Sequence, residues 1–379
     1  MKNLLYELII MTMMGSLIFI IFKVTERITK KLFSASWHYG VLKFVILFFC
    51  LPFGKLYLFF ANSNQIRSIF HIDSNASGQS VGSVVDLVHK ISDYEILQGK
   101  LKLYELILLL WIVGISILLL RQILCFIKFR YIIACNKKVA NTQLQEIAKI
   151  CGDKQGIKKP IQLYINENIT TPMLVGFFSP IILLPSDKLD LKLAEHVVSH
   201  ELTHFRYKDL ILKLAILLIR IIHWFNPFAY LLSREVDKWC EYTCDERNVI
   251  HLSHDLKKQY GLAILEAIAV MPVYGSNFGT PFLLPKQNLK ERLLFMLDVK
   301  IMKTKTRILS ITFASLLLTF GVVTTFVAEN ESESFIREMN YSKKELINKK
   351  IIDTNYNEEL LYQNSRIEEK MNEFLKDIE

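Results

Sequence analysis

Residues 196–209 read His196-Val197-Val198-Ser199-His200-Glu201-Leu202-Thr203-His204-Phe205-Arg206-Tyr207-Lys208-Asp209. Val197, Val198, Leu202 and Phe205 recur at helical spacing and predict a helix over Leu191–Arg206 with one buried face. His200 and His204, at i and i+4, share a face of that helix, so both imidazoles can hold one metal ion. Glu201, one residue on, falls beside the ion rather than on it, where it can take a proton from a water. The spacing therefore points to hydrolysis at a zinc ion.

A catalytic zinc needs a third protein ligand and an open position for water. His196 stands one turn before His200. Side chains at i, i+4 and i+8 spread over about 12 Å of helix axis and cannot converge on one ion, so His196 is expected in the core or supporting a ligand. Glu241 is the candidate third ligand, in Glu241-Tyr242-Thr243-Cys244-Asp245. Glu241 and Asp245 lie one turn apart on one face, so the first can bind metal while the second hydrogen-bonds a metal-binding imidazole. The same pair also fits a solvated acidic face, because Glu246 and Arg247 follow. Cys240 and Cys244 fit either soft ligands or packed thiols. The group that steadies a tetrahedral oxyanion is open between His223 and Arg247.

Outward from this motif, Asn141–Cys151 reads as a short helix. Ile161–Pro185 is β-like, punctuated by Pro172, Gly176, Pro180 and Pro185. Its part 172–185, with Gly176 and Pro180, is expected to supply an edge strand on which an extended substrate can pair. Ser186 or Asp187 can cap the motif helix. A very apolar helix follows over about 208–222, and Asn226-Pro227 opens another that runs to about 250. Further helices are expected over about 255–270 and over Asn288–Lys300, separated by a loop rich in Pro and Gly, 272–287.

The 379 residues are 51% hydrophobic and 22% charged. That is too apolar for an ordinary soluble enzyme and excludes a disordered chain. Four stretches read as membrane spans of about 20 apolar residues. They are Leu4–Phe22, Val41–Phe60, Leu103–Ile127 and Ile308–Ala328. The first is read as a retained span rather than a signal peptide, since no small-residue cleavage site follows it. Lys and Arg cluster in 23–39, after the third span and before the fourth, which places 23–39 and 128–307 in the cytoplasm. The N-terminus, the loop 62–102 and the acidic tail 329–379 then lie outside. The six cysteines form no CxxC and are expected reduced. Net charge +9 is accounted for by Lys and Arg facing membrane lipid, and no nucleic-acid motif accompanies it.

The sequence resembles the BlaR/MecR membrane metallopeptidases, gluzincin-type signal transducers of β-lactam resistance. Pro172…Gly176…Pro180…Leu184-Pro185 and His200-Glu201-Leu202-Thr203-His204-Phe205-Arg206-Tyr207-Lys208-Asp209 carry the resemblance. So do His223-Trp224-Phe225-Asn226-Pro227, Glu241-Tyr242-Thr243-Cys244-Asp245-Glu246 and Leu289-Lys290-Glu291-Arg292. The resemblance implies a mainly α polytopic membrane protein with four transmembrane helices and a cytoplasmic α+β zinc peptidase domain. It implies one Zn2+ per chain held by His200, His204 and Glu241, with Asp245 behind a ligand. It also implies cleavage of a cytoplasmic transcriptional repressor and of the chain itself. The family's transducers carry a penicillin-binding sensor with an SxxK serine after the fourth span; here 51 residues follow it, without SxxK. A separate sensor protein and a homodimer are therefore kept open as partners. A housekeeping membrane zinc protease and a non-catalytic signalling scaffold are the alternatives. Glu201 argues against the scaffold, because a structural zinc site needs no base.

Overall fold

A serine and a proline set the limits of the first helical hairpin. Helix α1 runs over Lys2–Leu32 and α2 over Ala35–Cys50. Ser34 caps α2, its side chain accepting from the Trp37 N–H at 3.2 Å. At the other end Leu51 turns extended (φ −114°, ψ 129°), as a residue before proline is driven to do. The stretch read as a span over 41–60 therefore begins as helix six residues earlier and stops at Cys50. Its 16 residues reach about 24 Å, short of a hydrocarbon core of about 30 Å. The segment 23–39, read as a loop, is helical except at the turn 33–34. Phe22, Glu26 and Thr29 continue one buried face of α1 past its apolar run.

The computed structural model describes residues 2–52, 95–96, 101–169, 171–176, 180–187, 190–269, 289–299, 301–325, 327 and 366. Three described helices are long and apolar enough to cross a membrane: α1, α3 (Leu103–Asn136) and α10 (Thr304–Thr325). A two-residue pairing of β1 (Glu95–Ile96) with β2 (Leu101–Lys102) precedes α3. Most of the loops 62–102 and 272–287 and of the tail 329–379 lies outside the described residues.

Between α3 and α10 lie β3 (Lys138–Val139), α4 (Thr142–Lys154), β4 (Gln162–Ile165), β5 (Met173–Val175) and β6 (Ile181–Leu184). Helices α5 (Leu191–Arg206), α6 (Asp209–Ile222), α7 (Pro227–Val249), α8 (His254–Ala269) and α9 (Leu289–Asp298) follow. The sheet order is β3-β4-β6-β5, with β4 and β6 parallel and the other pairs antiparallel. Leu163, Ile182 and Leu184 of the sheet share a core with Leu144 and Ala148 of α4 and Ala194, Val198 and Leu202 of α5.

A second core crosses the sequence boundary drawn at 127/128. Phe19 and Phe22 of α1, Leu42 and Val45 of α2, and Leu317 of α10 pack with Ile216 and Ile219 of α6 and Leu232, Val236 and Trp239 of α7. The N-terminal hairpin is thus built into the helices that surround the His-Glu motif.

Candidate metal centre

Asp190 starts α5 by accepting from the Lys192 N–H at 3.2 Å; the cap is the residue just before the helix, not Ser186 or Asp187. The buried stripe of α5 is anchored on the sheet by Val198 and Leu202, which leaves His200 and His204 buried toward α7. Their rings sit 4.9 Å apart at 87°. Glu241, on α7, reaches between them: Oε2 is 3.3 Å from His200 Nε2 and Oε1 is 3.6 Å from His204 Nε2. Two imidazole Nε2 atoms and one carboxylate thus face one another.

The opposite ring edges are held. His200 Nδ1 lies 3.0 Å from the Tyr260 hydroxyl and 3.3 Å from Asp245 Oδ1, and Tyr260 itself donates to Asp245 Oδ1 at 3.2 Å. His204 Nδ1 lies 2.8 Å from Asp209 Oδ2. Asp209 reaches back because Lys208 takes a left-handed conformation (φ 57°), which reverses the chain between α5 and α6. A non-glycine residue held there costs of the order of 1–3 kcal/mol, tolerated where the surroundings fix it. Arg292 of α9 donates from Nε to Asp245 Oδ2 and from Nη2 to Asp245 Oδ1 at 2.9 Å, and its Nη1 is 3.3 Å from Glu241 Oε2. Lys213 Nζ is 3.9 Å from Glu241 Oε1, and Glu201 is close enough for its charge to act on that ammonium.

Burial opposes charge on every carboxyl here, and the partners overturn it. Glu241 is held well below the usual carboxylate range by His204, His200, Arg292 and Lys213. Asp245 is lowered by Arg292 and His200, and Asp209 by His204 and Tyr39. Burial pulls both imidazoles down. Cys244, Tyr260 and Asp245 push His200 well above the ordinary histidine range, and Cys244, Glu241 and Asp209 do the same for His204.

The donor set fits zinc: two Nε2 atoms and a carboxylate, with each Nδ1 occupied from behind so that the ring is aimed. Among the described residues, two trios have ligand-type atoms all within 4.8 Å of one another, His200 with His204 and Cys244, and His204 with Asp209 and Cys240. Their sulfurs lie on the Nδ1 edges. Cys244 Sγ is 3.3 Å from His200 Nδ1 and donates to the His200 carbonyl at 3.3 Å, while Cys240 Sγ is 3.8 Å from His204 Nδ1. These thiols are packed behind the rings.

The other residues singled out from sequence fall as follows. His196 packs edge-on against the Tyr260 ring, centroids 5.5 Å apart, and so supports a group that touches His200. His223 is not brought to the site. It lies past the far end of α6, a helix of 14 residues or about 20 Å, with Nδ1 2.7 Å from the Thr12 hydroxyl and Nε2 3.1 Å from the Phe49 carbonyl. Arg247 stacks on Tyr207, 3.3 Å from the ring centroid, rather than on the metal-facing atoms. Strand β5 is at the sheet edge and packs against α5; Gly176 follows it at φ 97°, a conformation that favours glycine, and Pro180 is buried just before β6. Sequence reasoning assigned no role to Asp209, Tyr260, Arg292 or Tyr39. Asp209 and Arg292 stood inside motifs already singled out, whereas Tyr260 and Tyr39 carry no local signal.

The chain is similar to the methicillin resistance mecR1 protein of Staphylococcus aureus, 29% identical over 257 residues that cover 65% of this chain and 43% of the relative. It is also similar to the regulatory protein BlaR1 of Bacillus licheniformis, 24% identical over 269 residues that cover 67% of this chain and 44% of the relative. The chain spans less than half the length of these curated relatives. The family model of the BlaR1 peptidase M56 matches residues 5–296, a stretch that contains most of α1, the sheet, the His-Glu motif, Glu241, Asp245 and Arg292, and the chain belongs to that family.

Proposed function

We propose that this chain is a membrane zinc endopeptidase of signal transduction that cuts a repressor-like protein in the cytoplasm, and itself, in a β-lactam or envelope-stress response. The observation that carries the reading is the convergence of His200 Nε2, His204 Nε2 and the Glu241 carboxylate, with Glu201 next to His200 in sequence on the helix that carries both histidines. His200, His204 and Glu241 would hold one zinc, whose Lewis acidity lowers the pKa of a water to about 7 and polarises a peptide carbonyl. Glu201 takes the proton of the attacking water and delivers it to the leaving amine. Asp245 and Asp209 keep the two imidazoles in the tautomer that presents Nε2. The edge of β5, which among the described residues pairs only with β6 and packs on the helix that carries Glu201, would offer backbone groups to an extended peptide. Self-cleavage is assigned to the loop 272–287, whose prolines and glycines disfavour regular structure. The region 128–307 faces the cytoplasm and the tail 329–379 the outside.

The test is Glu201→Gln in the full chain. It is expected to retain zinc, to abolish cleavage and to trap the substrate, identified by mass spectrometry of the captured protein. A variant that still cleaved would remove Glu201 as the base. One that lost zinc would overturn the ligand assignment. Trapping mostly misfolded membrane proteins would favour a housekeeping protease over a signalling one.

A further inference from the structure

His204 is steadied through two hydrogen bonds by a residue 170 positions upstream of Asp209. The Tyr39 hydroxyl donates to Asp209 Oδ1 at 2.9 Å, and the other oxygen of the same carboxylate is 2.8 Å from His204 Nδ1. Tyr39 is 1% exposed and Asp209 2%, so no water replaces either bond. Tyr39 belongs to α2, a helix of the N-terminal hairpin, and α2 is clamped at neighbouring positions to the helix that carries Glu241. The Ser36 N–H donates to Glu246 Oε2 at 2.9 Å, and the His38 ring stacks on Trp239 at 4.0 Å and 5°.

We infer that Tyr39 is a positioning residue of the metal centre, acting through Asp209 on His204, so that helix α2 sets the affinity for zinc. The inference rests on the reading of His200, His204 and Glu241 as the metal site. Without the phenol, Asp209 keeps only the Cys240 thiol beside His204, a weak donor, and a buried carboxylate so poorly paired is costly and freer to rotate. Loss of the Tyr39 hydroxyl therefore lets Asp209 swing and releases the imidazole from its aimed position. The bland alternative is a tyrosine that merely packs between α2, α6 and α7. Its ring would do that equally well without the hydroxyl.

The test is Tyr39→Phe in the full chain in detergent, with zinc affinity measured by chelator competition. Partners of a ligating histidine are typically worth 10- to 100-fold in metal affinity, and a loss of about tenfold is expected. In the Asp209→Ala background, Tyr39→Phe should cause no further loss, because its route to the metal is gone. Cobalt-loaded wild type and Tyr39→Phe should also differ in their visible d–d bands, which report only on folded, loaded molecules even if yield falls. Unchanged affinity and unchanged cobalt bands in Tyr39→Phe would overturn the inference. So would an equal loss in the wild-type and Asp209→Ala backgrounds. Failure of the wild type to bind zinc would instead strike the site reading itself.

Discussion

Replacing Asp245 by asparagine is expected to weaken zinc binding through two effects of the same sign. Asp245 is 1% exposed, and it accepts from Tyr260 and twice from Arg292 while facing His200 Nδ1 at 3.3 Å. The neutral amide no longer holds His200 as a basic, aimed ligand, a loss of about 10- to 100-fold, or roughly 1.4–2.8 kcal/mol. The second effect comes from Arg292. With its bidentate carboxylate gone, the guanidinium keeps Glu241 as a charged partner, which Nη1 already approaches to 3.3 Å. Coulomb's law at an effective dielectric of 20 gives such a pair up to about 5 kcal/mol, so Arg292 competes with zinc for the same carboxylate. The two effects are separable. Asp245→Asn/Arg292→Met removes the competing cation and should bind zinc more tightly than Asp245→Asn alone, while staying weaker than wild type. The assay is chelator competition on the full chain in detergent, with zinc content checked by elemental analysis. A single variant within about threefold of wild type would refute the role of Asp245. A double variant weaker than the single would refute competition by Arg292.

With no cation bound, His200 and His204 are held above 6.5, so zinc must displace protons, and its affinity should rise with pH by up to about a hundredfold per unit below their pKa values. A raised folded pKa stabilises below the unfolded value and fades as pH climbs through the folded one. The zinc-free chain should therefore melt higher at pH 6 than at pH 9, and the zinc-loaded chain the reverse; parallel melting-temperature slopes with and without chelator would contradict this. Glu241, Asp245 and Asp209 are lowered, so their contribution is lost only below about pH 5 and does not disturb that window. Lys238 bridges Glu26 of α1 and Glu235 of α7 at 2.6 Å each, while Lys23 meets both acids at 2.5 Å. Lys238→Met leaves both acids paired to Lys23 alone and should lower the melting temperature by the equivalent of about 1 kcal/mol, and an unchanged melt would show that the network only decorates the hairpin. Reporter fusions after residues 140 and 340 should give opposite sides of the membrane, and the same side for both would remove a span from the topology.

That His200 and His204 share one face was legible in the sequence because the information is local. An i, i+4 pair fixes which atoms share a helix face before any tertiary contact exists, and the same spacing placed Asp245 one turn from Glu241. Helix limits were legible for the same reason: Asn226-Pro227 begins α7, with Asn226 accepting from the Phe228 N–H at 2.9 Å, and α5 spans Leu191–Arg206 as its periodicity predicts. What failed to show was set by distance along the chain or by two signals in competition. The charges of 23–31 suggested a loop, but a long helix tolerates them when Glu26 and Thr29 can be buried against neighbours. His223 had the chemistry of an oxyanion stabiliser, yet the rise of one helix carries it about 20 Å from Asp209. Tyr39 ends the segment 23–39, whose charges announced only a cytoplasmic loop, and nothing in its neighbours points to Asp209. A hydroxyl buried among apolar side chains needs a partner, however, and a carboxylate with two oxygens can serve an imidazole and a phenol at once. That shared carboxylate joins a helix of the N-terminal hairpin to His204, a proposed metal ligand, in two hydrogen bonds. A shift of α2 by even an ångström would break the first of them, so a change in the N-terminal hairpin reaches His204 without crossing the sheet.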